Sequence, residues 1–564
     1  MTPRKTPWSL LAVLVSLALI VGACQAQTPT TGGTTPAPTQ GEQVDDAATL
    51  IDNLASEPGS IDPHKASFTH EIAVITTVFE NLMVLDPKTL KPIPGAAASY
   101  ESSPDAKSFT FTLRDGLKYS DGAPLTAKDF VYGYTRTCNP ETPDKQYSYV
   151  LYVIAGCEDW DTTDLTKATP ADLAAARDKL GVKALDDKKV QFTLREPAPY
   201  FPSIATLWTG MPARESDVTK GGDKWTEPAT YIGNGPFKMT EWKHNEYILF
   251  EKNPNYRQPV KLAKWKRVMI SETAVEFAAY QNNEVDIASV SAENLRAVEA
   301  DATLKGQMTE VPGDCTFYFG YNVKKPPFDD PKVRMAFSRS YDRQAFVDSV
   351  LQGIGKPATG GFIPIGQPGY DETDKIQAFD AAAAKQLITQ SKYATASALP
   401  AVTFTFSSSA LNKLVAEWVQ QQWKNNLGVD IKLDPVERTV FVELVKKPET
   451  TPQMFYLGWC LDFPHEQNWH STVWKSGAGV SAARTGYNSP KFDELTGKAD
   501  TELDPAKAAS LYLQAGKQLS EDAPAGWIFY RQSRALIKPW VKGLSISARG
   551  VTGLNKHEIF IIKH

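Results

Sequence analysis

Long apolar segments are all but missing from this chain, and so are histidine, cysteine and any surplus of positive charge. Beyond the first two dozen residues no run stays apolar for the ~20 residues that a bilayer-spanning helix needs, so the bulk of the chain reads as soluble. Lys and Arg total 60 against 65 Asp and Glu, a formal charge of −5, which provides no basic surface for phosphates and argues against nucleic acid as a partner. Seven histidines in 564 residues offer no identifiable ligand set for a metal or haem carrier. No Gly-x-Ser-x-Gly elbow and no phosphate-cradling glycine loop occurs. The stretch His465 to His470 nearly imitates a zinc-protease pair, but on a helix that spacing turns the second imidazole about 140° from the first. His70-Glu71 has Val74 where a second ligand would stand. These absences predict a protein that is not an enzyme, with no catalytic residue, metal or cofactor.

What the chain does have begins at its start. Arg4 and Lys5 precede an apolar run from Trp8 to Ile20 that ends in Val21-Gly22-Ala23-Cys24. The run is too short to span a membrane and carries small residues where a signal peptidase cuts, which predicts a signal peptide over residues 1–23. Cys24 then becomes a lipid-bearing first residue, and the two or three acyl chains expected there anchor the protein to the outer face of the cell membrane. Residues 24–48 read as a flexible tether rich in Thr, Pro, Gly and Gln, with an r.m.s. reach on the order of 25 Å.

Hydrophobic residues make up 42% of the sequence, enough for large cores, and the length predicts two or three lobes. With Cys24 set aside, the four cysteines of an exported protein predict two disulfides. Cys138 and Cys157 flank a short, Tyr-rich segment and are natural local partners, a closure that chain-entropy models value at ~3 kcal/mol. Cys315 and Cys460 are left to pair with each other.

From Thr49 onward short β-type runs alternate with amphipathic helices, an α/β pattern. Ser108 to Arg114 and Lys189 to Arg195 alternate with period two. Leu411, Leu414, Val415, Trp418 and Val419 mark one helix face, Gly428 a helix end, and Val429 to Leu433 a strand. Trp418 and Trp423 are expected in the core.

The blocks Ser60-Ile61-Asp62-Pro63-His64, Phe79-Glu80-Asn81-Leu82, Phe111 to Gly122, Leu125 to Phe130, Asn234-Gly235-Pro236-Phe237 and Pro327 to Arg334 resemble, in order and spacing, the extracellular solute-binding family 5 of bacterial peptide importers. Gly458-Trp459-Cys460-Leu461-Asp462-Phe463 is similar to the ligand segment of the oligopeptide-binding members. The resemblance implies that Asp462 pairs with a peptide ammonium, that Gly458, Trp459 and Cys460 border the peptide as a strand, and that Ser67, Phe68 and Thr69 form a strand edge on the opposite wall. Cys315, too, stands where those proteins keep the partner of the Cys460 disulfide. A basic residue found two places before Gly458 in well-known relatives is Tyr456 here; Lys447, His465, His470 and Arg484 are the nearby candidates for the ligand carboxylate.

The same resemblance implies a two-lobed, periplasmic-binding-protein-like α/β fold of class II, cluster C, with an extra third domain. Residues 49–82, 212–314 and 532–564 would form lobe I, residues 83–211 the extra domain packed on it, and residues 315–531 lobe II. It implies a monomer that takes up an oligopeptide and delivers it to an ABC permease with its ATPase. Other solutes carried on this fold, namely oligosaccharide, nickel or haem, and a surface peptide-sensing receptor, are the alternatives.

Overall fold

Two strands that each leave one sheet and enter another set the architecture. In the computed structural model, which describes residues 43–564, Met308–Val311 lies in a seven-stranded sheet and the chain passes directly into Cys315–Tyr321 of a six-stranded sheet. The return runs beside it, from Ala525–Tyr530 into Ser533–Ile537. Here the Arg531 N–H donates to the Cys315 carbonyl at 2.9 Å. A Cβ on Gly313 would lie 1.5 Å from the Arg531 carbonyl oxygen, so only glycine lets the two crossings touch.

The seven-stranded sheet runs in the order Met308–Val311, Ser533–Ile537, Ile287–Ser289, Thr49–Asn53, Lys264–Val268, Tyr247–Lys252, Phe237–Lys243. Thr49–Asn53 pairs parallel with Lys264–Val268, residue for residue, and the outer pairs are antiparallel. The six-stranded sheet runs Lys356–Pro357, Ala525–Tyr530, Cys315–Tyr321, Met454–Cys460, Val402–Ser407, Ile431–Val436. A third sheet, entirely antiparallel, contains Ala97–Ser102, Ser108–Leu113, Lys189–Thr193 and Val182–Ala184. In it Phe109, Phe111, Val190 and Phe192 point inward on alternate positions, which is the period-two signal of the sequence realised.

Ala410–Leu427 is a helix closed by Gly428 in the left-handed region (φ 75°). Its buried side is Val415, Ala416, Val419, Trp423 and Leu427; Leu411 and Leu414, expected on that side, are exposed at 48% and 54%. The buried stripe therefore starts one turn later than the pattern suggested. The strand expected at Val429 to Leu433 lies at Ile431–Val436. Trp423 is fully buried and Trp418 packs edge-on against Phe346.

The Asp62-Pro63-His64 block is a clamp between segments. Arg136, on helix Ala127–Cys138, forks onto both Asp62 oxygens at 2.6 and 2.7 Å, and the Trp225 indole donates to the same carboxylate at 3.0 Å. Burial and the guanidinium push the His64 imidazole down to about 4, so it is neutral, accepts from Arg136 and donates to the Met211 carbonyl.

At the N-terminal side residues 43–48, expected in the tether that runs to Ala48, are held against the rest of the chain. Val44 bridges to Ile562, and the Asp45 N–H donates to the Ile561 carbonyl at 2.8 Å, so residues 43–46 dock on the C-terminal strand. The signal peptide and Cys24 lie outside the described residues. Among those described, no helix is long and apolar enough to cross a membrane.

Candidate binding cleft

Strand Met454–Cys460 pairs antiparallel with Cys315–Tyr321 along its whole length. On its other side Val402–Ser407 pairs only at Met454 and Phe455, so among the described residues no strand covers the edge of Gly458, Trp459 and Cys460. An uncovered edge offers main-chain donors and acceptors to an extended guest. The end of that strand is fixed covalently, because Cys460 stands opposite Cys315 and the two form a disulfide. The Leu461 N–H then donates to the Asp314 carbonyl at 2.9 Å, which turns the next residue, Asp462, inward.

Asp462 is 4% exposed. Its Oδ2 accepts from the Asn468 amide at 3.0 Å and the Tyr149 hydroxyl at 3.1 Å, its own N–H donates to Asn468 Oδ1, and its carbonyl accepts from Arg549 Nη2 at 2.6 Å. Burial raises the carboxyl to about 6; the two neutral donors and the charge of Arg549 counter this only in part. The Arg549 guanidinium is directed at the Asp462 backbone and stands 4.0 Å from Asp314, which is itself held by Arg531 at 2.6 Å. Among the described residues Asp462 thus has hydrogen-bond donors but no ion pair, Arg549 acting on it only from its backbone side.

These contacts join three parts of the chain. Tyr149 lies on the segment closed by the Cys138–Cys157 disulfide, Arg549 near the C-terminus, and Asn468 on helix Glu466–Trp474. From Tyr149 an aromatic row continues to Tyr147 (centroids 5.4 Å apart) and Trp208 (5.1 Å), whose indole donates to the Ala66 carbonyl at 2.9 Å. Phe463 stacks parallel to Tyr200 across the same boundary.

Ser67, Phe68 and Thr69 follow Ala66 but do not form the expected strand edge. Thr69 opens helix Thr69–Val78, and the N–H groups of Ser67 and Phe68 both donate to the Glu71 carboxylate, at 2.8 and 2.9 Å. The Phe68 carbonyl is taken by the Ile72 N–H. This wall therefore presents side chains, with the Phe68 ring 54% exposed. Trp459 is half-buried with its indole nitrogen unpartnered, and Cys460 is surface-exposed. Of the candidate carboxylate partners, Lys447 is exposed, His465 caps its helix by accepting from the Gln467 N–H, and His470 is buried against Tyr512 rather than solvated. Asp314, Cys315 and Cys460 cluster tightly enough to suggest a metal site, but both sulfurs belong to the disulfide and neither is a thiolate.

Tyr149, Asn468 and Arg549 were not singled out from the sequence. The Tyr-rich character of the 138–157 segment was the one available signal for Tyr149. Asn468 and Arg549 carried none.

Two sheets joined by paired crossings, with an uncovered strand edge and a buried acid between them, define a two-lobed α/β binding protein. The description "Bacterial extracellular solute-binding proteins, family 5 Middle" matches residues 91–481, and the chain belongs to that family. It is 32% identical to the periplasmic oligopeptide-binding protein OppA of Salmonella typhimurium, over 99% of both chains, and 31% identical to the OppA of Bacillus subtilis, over 97% of this chain and 98% of that one. Its structure superimposes on the unliganded open form of the murein tripeptide-binding protein MppA with a TM-score of 0.78 and 28% identity, covering 93% and 99% of the two chains.

Proposed function

We propose that this protein is the substrate-binding lipoprotein of an ABC-type peptide importer. It holds an oligopeptide between its lobes by the peptide backbone and N-terminal ammonium, and hands it to a membrane permease driven by a separate ATPase. The observation that carries this reading is Asp462, a buried carboxylate without a cation at the end of an uncovered strand edge. A peptide added along Gly458, Trp459 and Cys460 would bring its first ammonium to that acid, and main-chain pairing would leave side-chain identity largely free. Relatives named for oligopeptide binding over nearly the whole chain support the ligand class.

In this reading residues 49–82, 212–314 and 532–564 act as lobe I, with 83–211 carried on it, and 315–531 act as lobe II; the paired crossings at Gly313 and Arg531 serve as the hinge. Ser67, Phe68 and Thr69 supply a side-chain wall. Cys24 bears the lipid at the head of the tether, and the protein works as a monomer on the outer face of the membrane. Calorimetry with Asp462→Asn and Asp462→Ala tests the reading. Loss of a buried charge partner at about 3 kcal/mol or more weakens peptide binding roughly 100-fold; wild-type affinity in both variants removes Asp462 from the site.

A further inference from the structure

A cavity of about 550 Å³ lies between helix Thr69–Val78, the segment around Trp208, the crossing segments and the loop that carries Arg549 and Lys556. That is the size of pockets that enclose small ligands. Two of its lining residues, Arg549 and Trp208, belong to the structure around Asp462: Arg549 donates to the Asp462 carbonyl, and Trp208 begins the aromatic row that ends at Tyr149. The cavity therefore adjoins the place assigned above to the peptide N-terminus.

Its wall carries more positive charge than it neutralises. Glu80 is taken by Arg257 at 2.6 and 2.9 Å, Asp314 is shared by Arg531 and Arg549, and Arg267 has only Asp52, outside the wall, which leaves Lys556 without an ion pair among the described residues. Arg267 is 3% exposed, stands 3.6 Å from Asp52, and its Nε has no hydrogen-bond partner. Lys556 is 5% exposed and, among the described residues, makes no ion pair; its ammonium donates to Thr76 Oγ1 at 2.9 Å and the Gly553 carbonyl at 3.0 Å. Asp52 is the one acid facing both cations, and it is itself pushed toward the neutral form by burial and by neighbouring Asp286. Burial, together with the charge of Arg267, lowers Lys556 to about 7, as expected of a lysine that lacks its counter-ion. Ile72, Ala73 and Leu207 supply an apolar passage along the same wall.

We propose that this cavity is a side-chain pocket for an acidic residue of the bound peptide, with Lys556 and Arg267 receiving its carboxylate. The inference rests on the peptide-binding reading, since alternate side chains of a strand-paired peptide project toward opposite lobes and those near the N-terminus lie beside the cavity.

The test is calorimetry of the full-length folded part with alanine-based tri- to pentapeptides that carry either Glu or Gln at position 1, 2 or 3. At one of these positions the Glu peptide binds wild type at least 10-fold tighter than its Gln twin. In Lys556→Met and Lys556→Gln that ratio falls to near one while affinity for the Gln peptide stays within about twofold, and Lys556→Arg keeps the preference. Equal affinity for Glu and Gln at every position, or a preference that survives both neutral variants, overturns the pocket and leaves the peptide reading standing. Binding of neither peptide by wild type would remove both.

Discussion

Asp462 sets the chemistry of the cleft through an imbalance at a single residue. Its carboxyl is raised to about 6 in the ligand-free protein, above the ordinary aspartate value, because burial opposes the charge more than Tyr149 and Asn468 favour it. A group whose folded-state pKa is raised adds stability that is complete below the unfolded value and is lost as pH rises through about 6. At neutral pH the empty protein therefore bears a strained charge, and Asp462→Asn should raise the stability of the ligand-free form by about 1–3 kcal/mol while weakening peptide binding. Thermal unfolding of both proteins without ligand checks the sign. With Asp462 paired to the peptide ammonium as proposed, peptide affinity should fall as pH drops through about 6, and fall again above ~8 as the peptide amine loses its proton. Proton release on binding near pH 6, measured by calorimetry in two buffers, is the matching signature. Tyr149→Phe removes a hydrogen bond that the ligand-free protein already makes to the Asp462 carboxyl, so it should lower thermal stability at pH 7, by at most about 1.5–3 kcal/mol, and push the Asp462 pKa further up.

Among elements, the two disulfides hold the two partners of this contact. Cys315–Cys460 fixes the strand end that precedes Asp462, and Cys138–Cys157 closes the segment that brings Tyr147 and Tyr149 across to it. Replacing Cys138 and Cys157 together with Ser should lower stability by ~3 kcal/mol and weaken binding, whereas a disulfide with a purely structural role would leave affinity unchanged in the folded protein. The sequence revealed one side of this arrangement more clearly than the other. Gly458 to Asp462 is a contiguous run with a recognisable pattern, and the alternation of Ser108–Leu113 and Lys189–Thr193 appears as strands paired in register. Tyr149 is 313 residues from Asp462 and Arg549 is 87, and neither local periodicity nor motif spacing encodes which distant side chain meets a buried acid. Ser67 to Thr69 shows the converse: Glu71 captures the main-chain donors of the segment and starts a helix where resemblance suggested an edge.

Across the whole molecule, buried polar clamps tie distant segments together, and under the proposed function the crossings at Gly313 serve as the hinge. The Asp62–Arg136 fork binds helix Ala127–Cys138 to the Asp62-Pro63-His64 segment, with His64 held neutral beside it. His64 is lowered to about 4 and His470 to about 3, so the unfolded chain takes up protons first as pH falls below ~6.5. Stability should accordingly decline from pH 6.5 toward 4, by on the order of 3 kcal/mol for His64 alone, opposite in sign to the Asp462 contribution. Denaturant unfolding at a series of pH values would follow that decline. In the proposed function a closed complex forms only as far as the ligand favours it over the open state, a preference assigned to the buried Asp462 carboxylate.

The most direct measurement compares one peptide with its N-acetylated twin by calorimetry at pH 7. Acetylation removes the ammonium and keeps the backbone, so affinity should fall at least 100-fold. Equal affinity for the two would contradict the central claim that a buried, cation-lacking Asp462 receives the peptide amine.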